Sequence, residues 1–299
     1  MGEKFRSGFV AVVGRTNVGK STLLNQLLGR KVSIISEKVQ TTRNKITCVL
    51  TRDDCQVVFL DTPGIHKPKH MLGEHLVQVA LGSLNEVDAV LLLVEADSPP
   101  GPGDKYLINR LVGVSVKVAL VINKIDLIKR EELLPLMEEY GKLYAFADII
   151  PVSAQTGENT ARLLEVITGY LPEGPQYYPE DMHTDRTEDF IVAEMIREKV
   201  LAETAQEVPH SVAVVIEEMT EQENQVLMIR AMIYTEKDTQ KGILIGKGGQ
   251  MLKKIGTMAR QDIEKLLGTK IFLELRVKTR PDWRNKKSQL RRMGYYKGN

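Results

Sequence analysis

The chain has 299 residues, 42% of them hydrophobic and 27% charged, and 41 Lys and Arg against 39 Asp and Glu leave a formal charge of +2. These proportions belong to a folded protein of about two domains and exclude a disordered or fibrous chain, while the near-neutral sum by itself predicts no polyanionic partner. Cys48 and Cys55 are too few for a disulfide framework, which suits a reducing cytosol, and the longest apolar stretch, Ala89–Val94, is far short of the ~20 residues that span a bilayer.

From Phe9 to Leu171, short β-branched runs alternate with helical patterns. Strands are expected at Phe9–Val13, Val57–Leu60, Ala89–Val94, Val116–Ile122 and Ile149–Val152, and helices at Ser21–Leu28, Leu72–Leu84, Asp104–Val112, Glu131–Phe146 and Asn159–Tyr170. That alternation reads as βαβ units around a mainly parallel sheet. Ile46–Thr51 and Gln56–Leu60, joined by Asp53-Asp54, form the exception, an antiparallel edge hairpin. The first domain then spans 1–172, and the Pro-, Gly- and acid-rich stretch 173–187 reads as a linker. Over 188–299 the order becomes αββααβ: a helix at Asp189–Ala202, strands at Ser211–Met219 and Gln225–Tyr234, helices at Gln250–Gly256 and Thr257–Leu267, and a strand at Lys270–Val277. This marks a separate, smaller α+β domain.

Directly after the first strand, Gly14, Arg15, Thr16, Asn17, Val18, Gly19, Lys20 and Ser21 match G-x-x-x-x-G-K-[ST] at the opening of a helix. Glycines let consecutive N–H groups and the helix N-terminus face phosphate oxygens, Lys20 adds positive charge, and Ser21 offers a hydroxyl to Mg2+. The cofactor-binding set runs on to Thr22. Asp61, Thr62, Pro63 and Gly64 follow a second buried strand, at the same sheet end as Ser21. Asp61 can hold Mg2+ through water and the Gly64 N–H can bond a γ-phosphate, so the loop senses whether that phosphate is present. Asn123, Lys124, Ile125 and Asp126 follow a third strand. The Asp126 carboxylate can accept two hydrogen bonds from guanine, a donor pair that adenine lacks. Asn123 would tie this loop to the phosphate loop, the Lys124 stem can cover the base, and Ser153 and Ala154 complete the pocket through backbone N–H groups. Each piece alone reads equally as a capped turn; the four in this order at strand ends are specific.

On these motifs the chain resembles the translation-factor class of P-loop GTPases over roughly residues 8–171. The resemblance implies an α/β P-loop fold, GTP and GDP as ligands, Mg2+ held by Ser21, Thr42 and Asp61, and catalysis through Lys20, Thr42 and Gly64. Thr41-Thr42-Arg43 resembles the first switch, with Thr42 preferred as Mg2+ ligand and Thr41 the competing choice. Asn17 resembles the asparagine of potassium-dependent relatives, which implies K+ as an additional ion. Where Ras-like enzymes carry a water-orienting glutamine this chain has Ile65, which cannot hydrogen-bond water, so slow hydrolysis is expected. His66 is the neighbouring candidate, against its plainer reading as a solvated loop residue.

Ile245, Gly246, Lys247, Gly248 and Gly249 place a Gly-x-x-Gly turn after an apolar run and before a helix. With the αββααβ order this resembles a type II KH domain, whose turn clamps a nucleic-acid backbone; a ligand-free helix-helix turn is the alternative. Lys253, Lys254 and Arg260 follow. Lys278, Arg280, Arg284, Lys286, Lys287, Arg291, Arg292 and Lys297 then face only Asp282, with Trp283, Tyr295 and Tyr296 interleaved as stacking groups. The RNA-contacting set is Ile245 to Gly249, Lys253, Lys278 and Arg280. A solvated basic tail is the competing reading of the last stretch, and Glu217, Glu218, Glu221 and Glu223 should keep another face off RNA.

The pairing of a guanine-specific switch with a KH domain resembles the Era family of bacterial ribosome-assembly GTPases across nearly the whole chain. That resemblance implies binding of the 3′ end of 16S rRNA and assistance to maturation of the small (30S) ribosomal subunit, with GTP hydrolysis timing release. A cytoplasmic monomer is expected, with peripheral contact to the inner face of the membrane as a further partner. Three other readings stand beside it: a GTPase supporting RNA modification, a binding module with vestigial nucleotide chemistry, and a membrane-surface GTPase using the basic tail.

Overall fold

The computed structural model describes residues 5–34, 42–65, 68, 70–205, 208–222 and 225–295. Thr41, His66, Glu223, Tyr296 and Lys297 lie outside the described residues. The chain divides into two units, with the boundary at Asp185 and Arg186.

The first unit runs β1 (Arg6–Gly14), α1 (Lys20–Leu28), β2 (Ile46–Thr51), β3 (Cys55–Asp61), α2 (Met71–Gly82), β4 (Ala89–Glu95), α3 (Pro102–Leu111), β5 (Lys117–Asn123), α4 (Arg130–Gly141), β6 (Asp148–Pro151) and α5 (Thr160–Tyr170). Its strands form one six-stranded sheet in the order β2-β3-β1-β4-β5-β6. Only β2 against β3 is antiparallel, with Ile46 opposite Asp61, so the expected parallel sheet with one edge hairpin is what forms. β3 is buried throughout and β4 in all but Glu95, the pattern of strands covered on both faces. Parallel strands place Gly14, Asp61, Glu95, Asn123 and Ser153 at or just past one sheet end, where ligands of such folds collect. Ile65 is 4% exposed and belongs to the core beside Ala11 and Val13.

Two expectations change here. The helix expected to reach Phe146 ends at Gly141, and Tyr144 and Phe146 instead pack ring on ring at 4.9 Å. The stretch read as a linker is laid along the first unit as far as Asp185. Gly174 N bonds Phe5 O, Ser7 Oγ bonds Pro175 O, Gln56 Oε1 accepts from the N–H groups of Tyr177 and Tyr178, and Val49 N donates to His183 O. Edge strand β2 has unpaired backbone groups on its outer side, and this strap satisfies some of them.

The second unit runs α6 (Glu188–Glu203), α7 (Val208–Ser211), β7 (Ala213–Glu221), β8 (Leu227–Thr235), α8 (Asp238–Ile245), α9 (Gln250–Leu267), β9 (Ile271–Thr279) and α10 (Lys287–Arg292). The sheet order is β7-β8-β9, with β7 antiparallel and β9 parallel to β8. Its core joins Val192, Ile196 and Val200 of α6 to Ile255, Ala259 and Ile263 of α9 and to Ile229, Ala231 and Ile233 of β8. The αββααβ order holds, but the two middle helices are α8 and α9. The break expected at Gly256 does not occur: a Cβ there would come within 3.3 Å of Leu275 Cδ1, so this glycine serves the close packing of α9 on β9. Gln240 Oε1 accepts from the N–H groups of Glu236 and Lys237 and caps α8. Among the described residues no helix is long and apolar enough to cross a membrane.

Candidate functional site

The phosphate loop closes around Lys20. Its side chain is buried, and its ammonium donates to Arg15 O at 2.7 Å and to Gly14 O at 3.3 Å. Burial lowers its pKa from 10.5 to about 8, against the pull of Asp61 and Glu95. Gly19 and Asn17 take the left-handed conformation, with φ of 96° and 68°, which turns the loop into the N-terminus of α1.

Three oxygen-bearing side chains meet at the mouth of this loop. Ser21 Oγ lies 3.1 Å from both Thr42 Oγ1 and Asp61 Oδ2, and Thr42 Oγ1 lies 3.5 Å from Asp61 Oδ2. Asp61 is fully buried and its Oδ1 has no hydrogen-bond partner among the described residues. Burial pushes its carboxyl above the ordinary range, while Lys20 and the hydroxyls of Ser33, Ser21 and Thr42 act the other way. A hard divalent cation fits this donor set: hydroxyl and carboxylate oxygens suit Mg2+, which also offsets a buried negative charge. The structure brings Thr42 to this cluster as expected.

The Asp61 loop is held by Thr62, whose hydroxyl donates to Val12 O at 2.7 Å, and by Ile65 N, which donates to Gly14 O at 3.1 Å. A Cβ at Gly64 would sit 2.8 Å from Thr16 Cα and 2.9 Å from Thr16 N. Only glycine lets Pro63-Gly64 lie this close to the phosphate loop.

On the other side, the buried Asn123 bridges two loops: its Nδ2 donates to Val18 O at 2.8 Å, and its Oδ1 accepts from Ala154 N at 2.9 Å. The expected tie between Asn123 and the phosphate loop is present. Ser153 Oγ accepts from Thr156 N at 3.1 Å, fixing the turn that carries Ala154. Lys124 adopts φ 67° and is ion-paired with Glu95. Asp126 stands exposed, and no described residue hydrogen-bonds its carboxylate, so both oxygens can accept. Sequence reasoning missed Glu95, Asp104 and Ser33. Glu95 had one visible signal, an acid closing an otherwise apolar strand.

In the second unit, Gly246–Gly249 form the turn between α8 and α9. Gly246 has φ 71°, and a Cβ on it would meet Met251 Cβ at 2.8 Å. Ile245 is half-buried at the end of α8, while Lys247 and Gly248 are exposed. Beside the turn a groove of about 430 Å³ runs between α9 and β9, with Leu252, Leu273 and Leu275 as apolar lining and Lys253 and Arg260 as cations. An aliphatic floor that unstacked bases can pack on, beside phosphate-pairing charge, suits single-stranded nucleic acid. Lys278 and Arg280, expected to share in this set, do not line the groove; they follow it at the end of β9 and beyond. Lys254 is paired with Glu203 at 2.5 Å. Glu217, Glu218 and Glu221 lie on β7, and Glu218 pairs with Arg230, which also meets Glu274.

Trp283 and Tyr295 of the basic tail are core residues rather than stacking groups for a base. Trp283 is fully buried, donates from Nε1 to Ser211 O at 2.9 Å, and stacks on the buried Tyr295 at 5.8 Å. They pack this unit's interior because Leu290 and Met293, hidden among the charges, form an apolar stripe with them.

Residues 9–124 match the 50S ribosome-binding GTPase family and residues 207–284 match the KH domain family. Among solved structures, the chain is similar to a tyrosine-to-alanine variant of Aquifex aeolicus Era bound to GDP and AlF4−, with 42% identity, 97% of this chain and 99% of that chain covered, and a TM-score of 0.94. It is also similar to Era in complex with MgGDPNP and nucleotides 1506–1542 of 16S ribosomal RNA, with 43% identity, the same coverage, and a TM-score of 0.95.

Proposed function

The chain belongs to the Era family, and from that membership we propose that it is a GTP-controlled switch that binds the 3′ end of 16S ribosomal RNA and assists maturation of the small ribosomal subunit. It binds GTP and GDP with Mg2+, hydrolyses GTP to GDP and phosphate, and binds ribosomal RNA. The observation that carries the proposal is the likeness over 97% of the chain to Era holding MgGDPNP and a 16S fragment together.

The site's residues divide the work. Lys20 and the Gly14–Ser21 amides cradle the phosphates, and Asp126 selects guanine. Bound Mg2+ neutralises charge on the β- and γ-phosphates, and Ser21, Thr42 and Asp61 would hold it. Gly64, packed on Thr16, puts the second switch loop where a γ-phosphate alters its position. Because Ile65 is committed to the core, it orients no water, and hydrolysis is slow until RNA is engaged. Asn17, exposed in the phosphate loop, would share K+ with bound phosphates; equal turnover in KCl and NaCl would remove that part. A cytoplasmic monomer is part of the proposal.

Coupling between the sites is reciprocal: if GTP favours RNA binding, RNA tightens GTP binding by the same factor. The test is binding of the full chain to short RNAs from the 16S 3′ end and scrambled controls, in GDP and in a non-hydrolysable GTP analogue at fixed salt. Selective binding that is stronger with the analogue is expected. Weak, unselective and nucleotide-blind binding would overturn the switch.

A further inference from the structure

Glu95 closes β4 at the sheet end that carries the nucleotide site, and it meets cations from two loops. Its Oε1 pairs with the Lys124 ammonium of the guanine-recognition loop, and its Oε2 lies 3.3 Å from Arg15 Nη2 of the phosphate loop. Arg15 is ion-paired in turn, with Nε 2.8 Å from Asp104 Oδ1 in a contact that is electrostatic rather than hydrogen-bonded. Asp104 is wholly buried and accepts from Gly101 N at 3.0 Å through its other oxygen, so its carboxylate is fixed at the start of α3. The side chains of Arg15 and Lys124 are each 30% exposed and that of Glu95 19%. These pairs are therefore only partly shielded, but the chain of contacts ends on a rigid anchor.

The geometry assigns Glu95 as a positioning residue for nucleotide binding: held by Arg15 and Asp104, it draws the Lys124 ammonium aside so that the side-chain stem lies ready to cover the guanine. An unpaired lysine stem samples many rotamers and loses that freedom when a ligand arrives, whereas a stem already held by its terminal charge has less to lose. Asn123 joins the same two loops through neutral hydrogen bonds; Glu95 adds the charged tie, and it alone of the two acts on the Lys124 side chain.

This rests on the GTPase reading above. The experiment uses the full chain as wild type, Glu95→Gln, Lys124→Met and the double variant, with GDP and GTP dissociation constants and steady-state turnover measured at fixed Mg2+ and salt. Loss of one charge-assisted contact predicts GDP affinity lowered about tenfold by Glu95→Gln, with the effect falling mainly on KM rather than on kcat. The double variant should be no weaker than Lys124→Met alone, because Glu95 acts through that side chain. Glu95→Asp, which keeps the charge on a shorter stem, should recover part of the loss and guards against a folding defect in the amide. Losses that add in the double variant, or unchanged GDP affinity in Glu95→Gln, overturn the assignment. Failure of the wild-type protein to bind guanine nucleotides would instead sink the GTPase reading.

Discussion

The Thr47 hydroxyl donates a 2.9 Å hydrogen bond to Asp185 Oδ2. It joins the strand that follows the first switch to the last residue of the GTPase unit, one residue before the RNA-binding unit begins. Val49 N on the same strand donates to His183 O at 2.9 Å, and Ile46 pairs with Asp61. Were Thr42 to shift on GTP binding, the shift would reach, through β2, the point at which the chain leaves for the KH domain. Thr47→Val is expected to shrink the ratio of RNA affinities between GTP-analogue and GDP states by about threefold or more, since coupling energies of this kind are about 1–3 kcal/mol. RNA titrations in both nucleotide states check this. A ratio unchanged from wild type would place the coupling elsewhere.

Lys20 sets the pH response. Its buried ammonium has a pKa of about 8, and phosphate oxygens favour the charged form, so nucleotide binding takes up a proton above that pH. GDP affinity is expected to be flat near neutrality and to fall by up to about tenfold per pH unit above about 8. Stability has the opposite sign. The folded pKa lies below the ordinary lysine value of 10.5, the unfolded chain holds more protons between the two values, and the nucleotide-free protein gains stability as pH rises through that window. GDP titrations and melting curves over that range check both, and an affinity that rises with pH would contradict the assignment.

The nucleotide site was legible because phosphate binding uses consecutive backbone N–H groups: Gly14 to Ser21 must be neighbours in sequence, Asp61 and Asn123 each close a strand, and Ser153 follows one. Glu95, Asp104 and the strap at 173–185 were not, because their partners are remote, as in the pairing of Gln56 with Tyr177 and Tyr178. Trp283 was misread for a different reason. A high density of Lys and Arg masks buried apolar residues spread over 283–295, of which only Leu290 lies on the six-residue helix α10.

Gly246 and Gly248, two of the three glycines in the KH turn, should respond differently to alanine. At Gly246 both φ 71° and the 2.8 Å approach to Met251 Cβ forbid a side chain, so Gly246→Ala is expected to lower stability by about 1–3 kcal/mol together with RNA affinity. At Gly248 φ is 59° and nothing lies within 4 Å of the added Cβ; its strain is about 1 kcal/mol. RNA loss in Gly248→Ala should exceed what its modest stability change explains, because the methyl group occupies space that a sugar-phosphate backbone approaches. Melting temperature and RNA affinity, measured together on both variants, separate the cases. Equal stability losses would refute the distinction.

Burial of Trp283 predicts a structural phenotype for a residue in a basic, RNA-facing stretch. Trp283→Ala removes a fully buried ring, its stacking on Tyr295 and its hydrogen bond to Ser211 O, at a cost of about 3–5 kcal/mol. The damage should fall on the KH unit, because Ser211 and Tyr295 both belong to it, and GDP affinity should be unaffected. Trp283→Phe keeps a ring in the core but leaves the Ser211 carbonyl without its donor, which costs about 1–3 kcal/mol. If Trp283 serves only the interior, folded Trp283→Phe binds RNA as tightly as wild type. If the ring stacked on a base, RNA affinity would drop in Trp283→Phe well beyond what its melting curve accounts for, and the core assignment would fail.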